Sequence, residues 1–461
     1  MNLYHNPYVH VLEARTGMRA FNSLTLELFE IDSHEAALLR EVPASVDTSV
    51  ALSLVDAGLL RTTPAQPFEG SARRTCDRHA IAESREGVFT SMRLSLTEKC
   101  NLACDYCFQQ KMFADAQPEM NDQLLDQTLG WFVEQGAGMA LTVQYFGGEP
   151  LMKWDLMQRA DHLLQSAQDA GTIPSFRQTM TTNGTLLTPA RAEWLVRHGF
   201  DVTVSLDGPP EVNDRSRVNK AGRGTYRTAV RGLENYAAAG GDCAILMTAT
   251  AENVTLLPEY VRYFIEDTDL PITTVGLNSP QPTSTGWETG GETLARSVHA
   301  VWRYCEERSI GFHGPGTFIP EHLATRTPQT DGCIDLTRHE SVTAGWPVYV
   351  SADGKKSLCL VHHNDERTSP GSVALGMPAV RGVASAPTPA PAAAPEPDGI
   401  TASRAKQWHH DAPVSDLCDS CVALSFCGGP CSVERLLWNG NLSADRCDFM
   451  QTMSRLVLTD A

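Results

Sequence analysis

Between Ser91 and Asn278 the chain repeats one pattern: a short apolar or alternating run, a polar turn, then a longer stretch of helical character. The runs at Ser91–Thr97, Leu141–Phe146, Arg177–Thr182, Asp201–Leu206, Cys243–Thr248 and Thr273–Leu277 have the period of strands. Helices are expected over Gln123–Val133, from Pro189 onward, and over Val254–Ile265. Strands alternating with helices predict an α/β fold whose parallel sheet rolls into a partial barrel of six units. Enzymes built this way keep their chemistry at the C-terminal ends of the strands. The loops to watch are therefore Cys100–Cys107 after the first strand and Gly147-Gly148-Glu149-Pro150 after the second. Asn183-Gly184-Thr185 follows the third and Asp207-Gly208-Pro209 the fourth.

Residues 1–70 follow a different rhythm. Tyr8–Leu12 and Met18–Phe21 read as two strands around Arg15-Thr16-Gly17, and Leu24–Phe29 as a third. A helix opens at Asp32 or Ser33, and another spans about 48–57 and stops at Gly58. Residues 71–90 are polar and basic and read as a linker, with Cys76 as a surface thiol. A bridging segment, 291–332, carries a helix over Leu294–Arg308. The remaining unit, 333–461, is rich in cysteine and interrupted at 380–399 by a Pro/Ala-rich insert that cannot build a core. Cys243 and Cys305 fall in apolar surroundings and read as small core residues.

Composition narrows the function. A formal net charge of −18, with no basic block, argues against nucleic acid or an anionic membrane as partner. No apolar run is long enough to span a bilayer, and the N-terminus lacks the layout of a signal peptide, so a cytoplasmic location is expected. Ten of the 13 cysteines gather in two groups, which suits metal ligation better than a disulfide framework.

The first group, Cys100, Cys104 and Cys107, has the spacing C-x3-C-x2-C. Three thiolates on so short a loop can hold three irons of a [4Fe–4S] cube and leave the fourth open to a chelating molecule. Spacing alone also admits zinc. The loop resembles the cluster motif of radical S-adenosylmethionine (radical SAM) enzymes. In that family the open iron is chelated by the methionine end of SAM, and reductive cleavage gives a 5′-deoxyadenosyl radical. The resemblance continues in order through Gly147, Gly148 and Glu149, the family's GGEP motif that contacts the methionine amine. It extends through the TNGTLL-like and SLDGP-like segments at 182–187 and 205–209. It implies that Tyr106 lies near the adenine and that Ser205 and Arg217 face the ribose or carboxylate of SAM. Asp207 is a further candidate, whose alternative is a turn-capping carboxylate. Arg215 and Arg227 compete with Arg217 for the same role. The implied fold is a partial (β/α)6 TIM-like barrel, open enough to admit a peptide.

The second group, Cys333, Cys359, Cys418, Cys421, Cys427, Cys431 and Cys447, includes a G-x4-C run from Gly354 and a C-x2-C-x5-C-x3-C run. It resembles the SPASM extension of radical SAM enzymes, which carries two auxiliary [4Fe–4S] clusters. The wiring of that family assigns Cys418, Cys421, Cys427 and Cys447 to the outer cluster and Cys333, Cys359 and Cys431 to the inner one. Residues 334–358 contain no further cysteine, so the inner cluster has an open iron or a non-cysteine ligand such as His339. The N-terminal strands and helices resemble the small winged-helix-like domain that grips leader peptides by strand addition.

Together these resemblances imply a maturase that installs an intramolecular C–C, C–O or C–S crosslink in a ribosomally made precursor peptide. It would draw electrons from an external low-potential donor such as flavodoxin or ferredoxin. The alternatives are an anaerobic sulfatase-maturating enzyme, a peptide epimerase, and a non-catalytic cluster scaffold or redox sensor. The sulfatase-maturating group has an aspartate directly after the G-x4-C cysteine, where this chain has Leu360. The sequence marks no residue as a catalytic base.

Overall fold

The computed structural model describes residues 2–41, 48–84, 88–107, 109, 117–278, 289–328, 346–357, 418–427 and 444–460. A three-stranded antiparallel sheet opens the chain: β2 (Val9–Ala14), β3 (Gly17–Asn22) and β4 (Glu27–Ile31), in that order. The third strand starts later than the alternation suggests. Asn22 Oδ1 accepts from the backbone N–H of Leu24 (3.0 Å) and Thr25 (3.3 Å), and this Asx-type turn keeps 23–26 out of the third strand. Two helices follow, α1 (Ser33–Arg40) and α2 (Thr48–Asp56). Asp32 caps α1 in a reciprocal box with Glu35. Gly58, at φ +69°, ends the second helix before β5 (Leu60–Arg61) returns to pair with β1 (Tyr4–His5). Leu38, Leu39, Leu54, Leu59 and Leu60 close a small core against Val9 and Ala20.

The stretch read as a linker is instead helical as α3 (Glu69–Ser84). Two of its buried positions, Ser71 and Arg74, are polar, so no apolar stripe announces it. Gly70, at its start, packs so close that a Cβ would lie 2.6 Å from the Tyr8 ring and 2.9 Å from Asp419 O. Cys76 on this helix is exposed.

The main sheet has nine strands, and its first parallel strand is β6 (Phe89–Ser95). After α4 (Asp122–Gln135) comes β7 (Leu141–Phe146). After α5 (Trp154–Asp169) comes β8 (Phe176–Thr182), and after α6 (Pro189–Arg197) comes β9 (Phe200–Ser205). Helices α7 (Pro210–Ser216) and α8 (Tyr226–Ala238) lead to β10 (Cys243–Thr248), and α9 (Leu257–Arg262) to β11 (Ile272–Asn278). These six strands run parallel with their neighbours in sequence order. Strict alternation shows in β7, where Leu141, Val143 and Tyr145 are buried under helices and Thr142, Gln144 and Phe146 face the other way. The expected helix at 254–265 is divided: a 3₁₀ turn at Val254–Leu256 precedes α9, and a π turn at Tyr263–Asp267 follows it.

Beyond the six strands the sheet is longer than expected on both sides. After α10 (Gly291–Glu307), β12 (Gly311–His313) joins β11 in parallel. Helix α11 (Ile319–Thr325) follows. On the opposite side β13 (Trp346–Val350) adds in parallel to β6 and turns through Asp353-Gly354 into β14 (Lys356–Ser357). Cys243 and Cys305 are 1% and 0% exposed, core residues as expected. The chain ends with a short helix, α12 (Leu424–Cys427), and a long one, α13 (Ala444–Asp460), which packs on α10 and on β2.

Candidate functional site

The cysteine loop leaves the end of β6 and is clamped from two sides. On one side Glu98 N–H donates to Pro118 O (3.0 Å) and Met120 N–H to Leu96 O (3.0 Å). On the other, Gly148 N–H donates to Thr97 O (2.8 Å) and Glu149 N–H to Lys99 O (3.0 Å). This second clamp needs glycine. Gly147 sits at φ +115°, and a Cβ on Gly148 would lie 2.0 Å from Lys99 O. The two glycines therefore let the GGEP loop approach the chain's own cysteine loop. Further along, Ala103 N–H donates to Val218 O (2.8 Å), which ties the loop to the segment after α7.

Glu149 is 1% exposed. Its Oε1 accepts from Leu151 N–H (3.1 Å) and Thr182 Oγ1 (2.7 Å), and its Oε2 from Asn183 N–H (2.9 Å). The carboxylate that could have received an ammonium is thus committed to joining the ends of β7 and β8. Burial pushes its carboxyl above the usual range against the pull of these donors.

The three thiols share one electrostatic environment. Burial raises Cys100 to about 12, helped by Glu149 and by its neighbours Cys104 and Cys107. Burial raises Cys104 to about 11, opposed by the Arg217 guanidinium. Leu102 N–H approaches Cys100 Sγ at 3.4 Å and Asn183 Nδ2 at 3.7 Å. Asn183 is held in turn by Asn101 Oδ1 (2.9 Å), and Asn101 Nδ2 donates to Thr185 Oγ1 (2.8 Å). Three neighbouring sulfurs, with amide donors directed at one of them, are the donor set that an iron–sulfur cluster takes, and binding it would release the protons that burial holds on Cys100 and Cys104.

The other candidates meet at Asp207. It accepts from Tyr106 O–H (2.5 Å), Arg217 Nε (2.8 Å), Arg217 Nη2 (3.1 Å) and Thr248 N–H (3.0 Å). Arg217 also lies over the Tyr106 ring, 5.5 Å from its centroid. Burial works to lower Arg217, but Asp207 and Tyr106 outweigh it and hold the guanidinium charged. Arg215 is instead exposed and pairs with Glu252 at 3.6 Å, and Arg227 is exposed on α8. Of the three arginines, Arg217 is the one beside the cysteine loop. Ser205 is buried at the end of β9, two residues before Asp207.

The sequence gives Asn101, Asn183 and Glu98 no individual role, although Asn183 falls in the TNGTLL-like segment. Glu98 is 1% exposed and burial raises it to about 6. Its Oε1 accepts from Tyr349 O–H (3.2 Å) and Ala352 N–H (3.2 Å), which fastens β13 and its turn under the cysteine loop. A charged residue among Leu94, Leu96 and Cys100 was the available signal.

Of the second cysteine group, Cys418, Cys421, Cys427 and Cys447 are described, while Cys333, Cys359 and Cys431, like His339 and Leu360, lie outside the described residues. Cys421 N–H donates to Cys418 O (3.1 Å), so those two share a turn. Burial raises Cys447 to about 11, and Cys427 and Cys421 add to the shift, so helix α13 brings the fourth thiol to the others. The turn rests on the N-terminal sheet. Phe426 stacks on Phe21 with ring centroids 5.4 Å apart, and Ser425 Oγ donates to Ser23 O. Asp419 accepts from Ser71 N–H (3.0 Å) and Tyr8 O–H (3.4 Å).

Residues 94–284 match the family described as the Radical SAM superfamily. A serine-type anaerobic sulfatase-maturating enzyme of Klebsiella aerogenes is 32% identical over 160 residues, covering 33% of this chain and 38% of that protein. The mycofactocin maturase MftC of Mycolicibacterium smegmatis is 33% identical over 169 residues, covering 36% and 39%. The chain thus spans well under half the length of these curated relatives. The solved structure of native anSMEcpe with bound AdoMet and Cp18Cys peptide superposes with a TM-score of 0.51 at 16% identity, over 62% of this chain and 77% of that one. The likeness is one of fold.

Proposed function

We propose, from the premise that this chain belongs to the radical SAM superfamily, that it is a maturase that crosslinks a ribosomally made precursor peptide through a C–C, C–O or C–S bond. The observation that carries the reading is the union, in one chain, of two thiol sets with an N-terminal antiparallel sheet. Among the described residues that sheet ends at β4, which pairs only with β3, and one of its faces is packed against the second thiol set. An edge strand can bind an extended peptide by main-chain hydrogen bonds.

In this reading Cys100, Cys104 and Cys107 hold the SAM-binding [4Fe–4S] cluster. Cys418, Cys421, Cys427 and Cys447 hold an outer auxiliary cluster, and Cys333, Cys359 and Cys431 an inner one. When bound, the first cluster and SAM would supply a low-potential electron and a 5′-deoxyadenosyl radical, and the auxiliary clusters a place for the electron that the substrate-derived radical gives up as the crosslink closes. The chain's own contribution is positional. The Leu102 N–H and the Asn183 amide orient the Cys100 sulfur and favour its thiolate. Arg217 sets a fixed positive charge beside Cys104. Tyr106, with its hydroxyl held by Asp207, presents a ring face for adenine stacking. Gly147, Gly148 and Glu149 hold the second loop against the first, and Ser205 stands at the mouth of the barrel. A flavodoxin or ferredoxin is the expected donor, and the cytoplasm the expected location. No helix among the described residues is long and apolar enough to cross a membrane.

The test is anaerobic incubation with SAM, reduced flavodoxin and the short peptide encoded beside the gene, read by tandem mass spectrometry. A loss of two mass units, with fragments missing between two residues, is expected. A loss of two units with full fragmentation and an aldehyde trapped by hydroxylamine would indicate formylglycine formation instead. Unchanged mass with deuterium uptake from solvent would indicate epimerisation. Absence of 5′-deoxyadenosine would leave only the scaffold reading.

A further inference from the structure

The N-terminal sheet carries a polar site that the chemistry above does not use. A cleft of about 420 Å³ opens where the turn after β3, helix α3 and the end of α11 meet. Its charged lining is Glu27, Arg73, Arg74, Asp77 and Arg326. Arg74 is the unusual member, at 4% exposure. Its Nη2 donates to Leu24 O at 2.7 Å, which anchors the guanidinium to the turn. Among the described residues its Nε and Nη1 have no hydrogen-bond acceptor. Asp77 Oδ2 comes within 3.0 Å of Nη1, yet it makes no hydrogen bond either, so it balances charge without satisfying the donor.

The remaining charges leave one cation over. Glu27 Oε1 accepts from Arg326 Nη1 (3.0 Å), and its Oε2 from Thr25 Oγ1 (2.9 Å). Arg73 is exposed on the rim and makes no ion pair among the described residues. A buried guanidinium with two unclaimed donors, beside an arginine that is unpaired among the described residues, fits a planar anion that can bridge the two. Glu27 is also the first residue of β4, which among the described residues pairs only with β3. An extended chain laid on that edge would pass the mouth of the cleft.

We propose that the cleft takes one aspartate or glutamate side chain of the precursor peptide, fixing the register in which the peptide adds to β4. This rests on the reading of the chain as a peptide-modifying enzyme. It adds a recognition rule that main-chain pairing cannot supply, because strand addition alone tolerates slippage.

The test uses the full chain with that precursor peptide, fluorescently labelled, and versions in which each acidic residue is replaced singly by its amide. One replacement should weaken binding to the native protein about tenfold, the loss of a charge-assisted contact, while the others change little. Arg73→Gln, a surface change that leaves the fold intact, should weaken the native peptide by the same factor and abolish the difference between the two peptides. Equal weakening by every replacement, or an unchanged affinity in Arg73→Gln, overturns the proposal. If the native peptide does not bind the native protein at all, the peptide reading fails on its own. The cleft is then decided by thermal melting with millimolar N-acetylglutamate amide: a raised Tm in the native protein but not in Arg73→Gln sustains a carboxylate site, and no rise in either overturns it.

Discussion

Asp207→Asn removes the charge on which Tyr106, Arg217 and Thr248 converge. The Asp207 and Arg217 side chains are only 4% and 10% exposed, so the guanidinium would be left buried without its counter-charge. Breaking such a pair from one side costs about 3–5 kcal/mol. Arg217→Met breaks it from the other side and leaves the carboxylate with two donors, at a similar cost of about 3 kcal/mol. The double variant Asp207→Asn/Arg217→Met removes both charges together. It should recover about 1–3 kcal/mol relative to the sum of the single changes. Urea unfolding of the cluster-free protein at pH 7 measures all four corners of this cycle. Costs that add to within about 0.5 kcal/mol would mean that the pair is not coupled, and the geometry of the site would be wrong. SAM cleavage should be lost in both single variants, because each displaces Tyr106 and the charge beside Cys104.

Gly148→Ala places a Cβ 2.0 Å from Lys99 O, where real contacts are not closer than 3.0 Å, so the two loops must part. A loss of about 1–3 kcal/mol is expected, with iron content falling in step, measured by thermal melting and iron analysis. His10 is lowered from 6.5 to about 4, chiefly by burial and also by Arg455 and His5. Its neutral form belongs to the folded state, so stability is full above the unfolded value and is lost as pH falls from 6.5 towards 4. That loss reaches about 2 kcal/mol by pH 5. His10→Gln should flatten this part of the urea-unfolding profile, and an unchanged slope would contradict it. Cys447→Ser should remove the outer cluster and the crosslinked product while some SAM cleavage persists, read by electron paramagnetic resonance and by mass spectrometry of the peptide.

The parallel strands were legible because their alternation is carried by residues such as Leu141, Val143 and Tyr145, whose burial tracks the period directly. The cysteine loop and the order of the following loops were legible because thiol spacing survives in one dimension. Helix α3 was not, because its buried face includes Ser71 and Arg74, and the forces holding it there come from Tyr8 and Asp419, far away in sequence. The placement of β13 beside β6 was equally hidden. Its partner lies more than two hundred residues earlier, and the Tyr349–Glu98 contact leaves no local trace. The choice among Arg215, Arg217 and Arg227 needed three dimensions for the same reason: all three are basic residues near one turn, and only one is buried against Asp207.

The central claim is that three thiols at 100, 104 and 107 grip a cluster that reduces SAM. Reconstitution of the native protein and of Cys104→Ala without air, followed by metal analysis and quantification of 5′-deoxyadenosine after reduction with SAM, tests it most directly. The account predicts brown, iron-rich native protein that releases 5′-deoxyadenosine, and a variant that releases none. Colourless native protein carrying only zinc, or a variant that cleaves SAM as well as the native protein does, would contradict it.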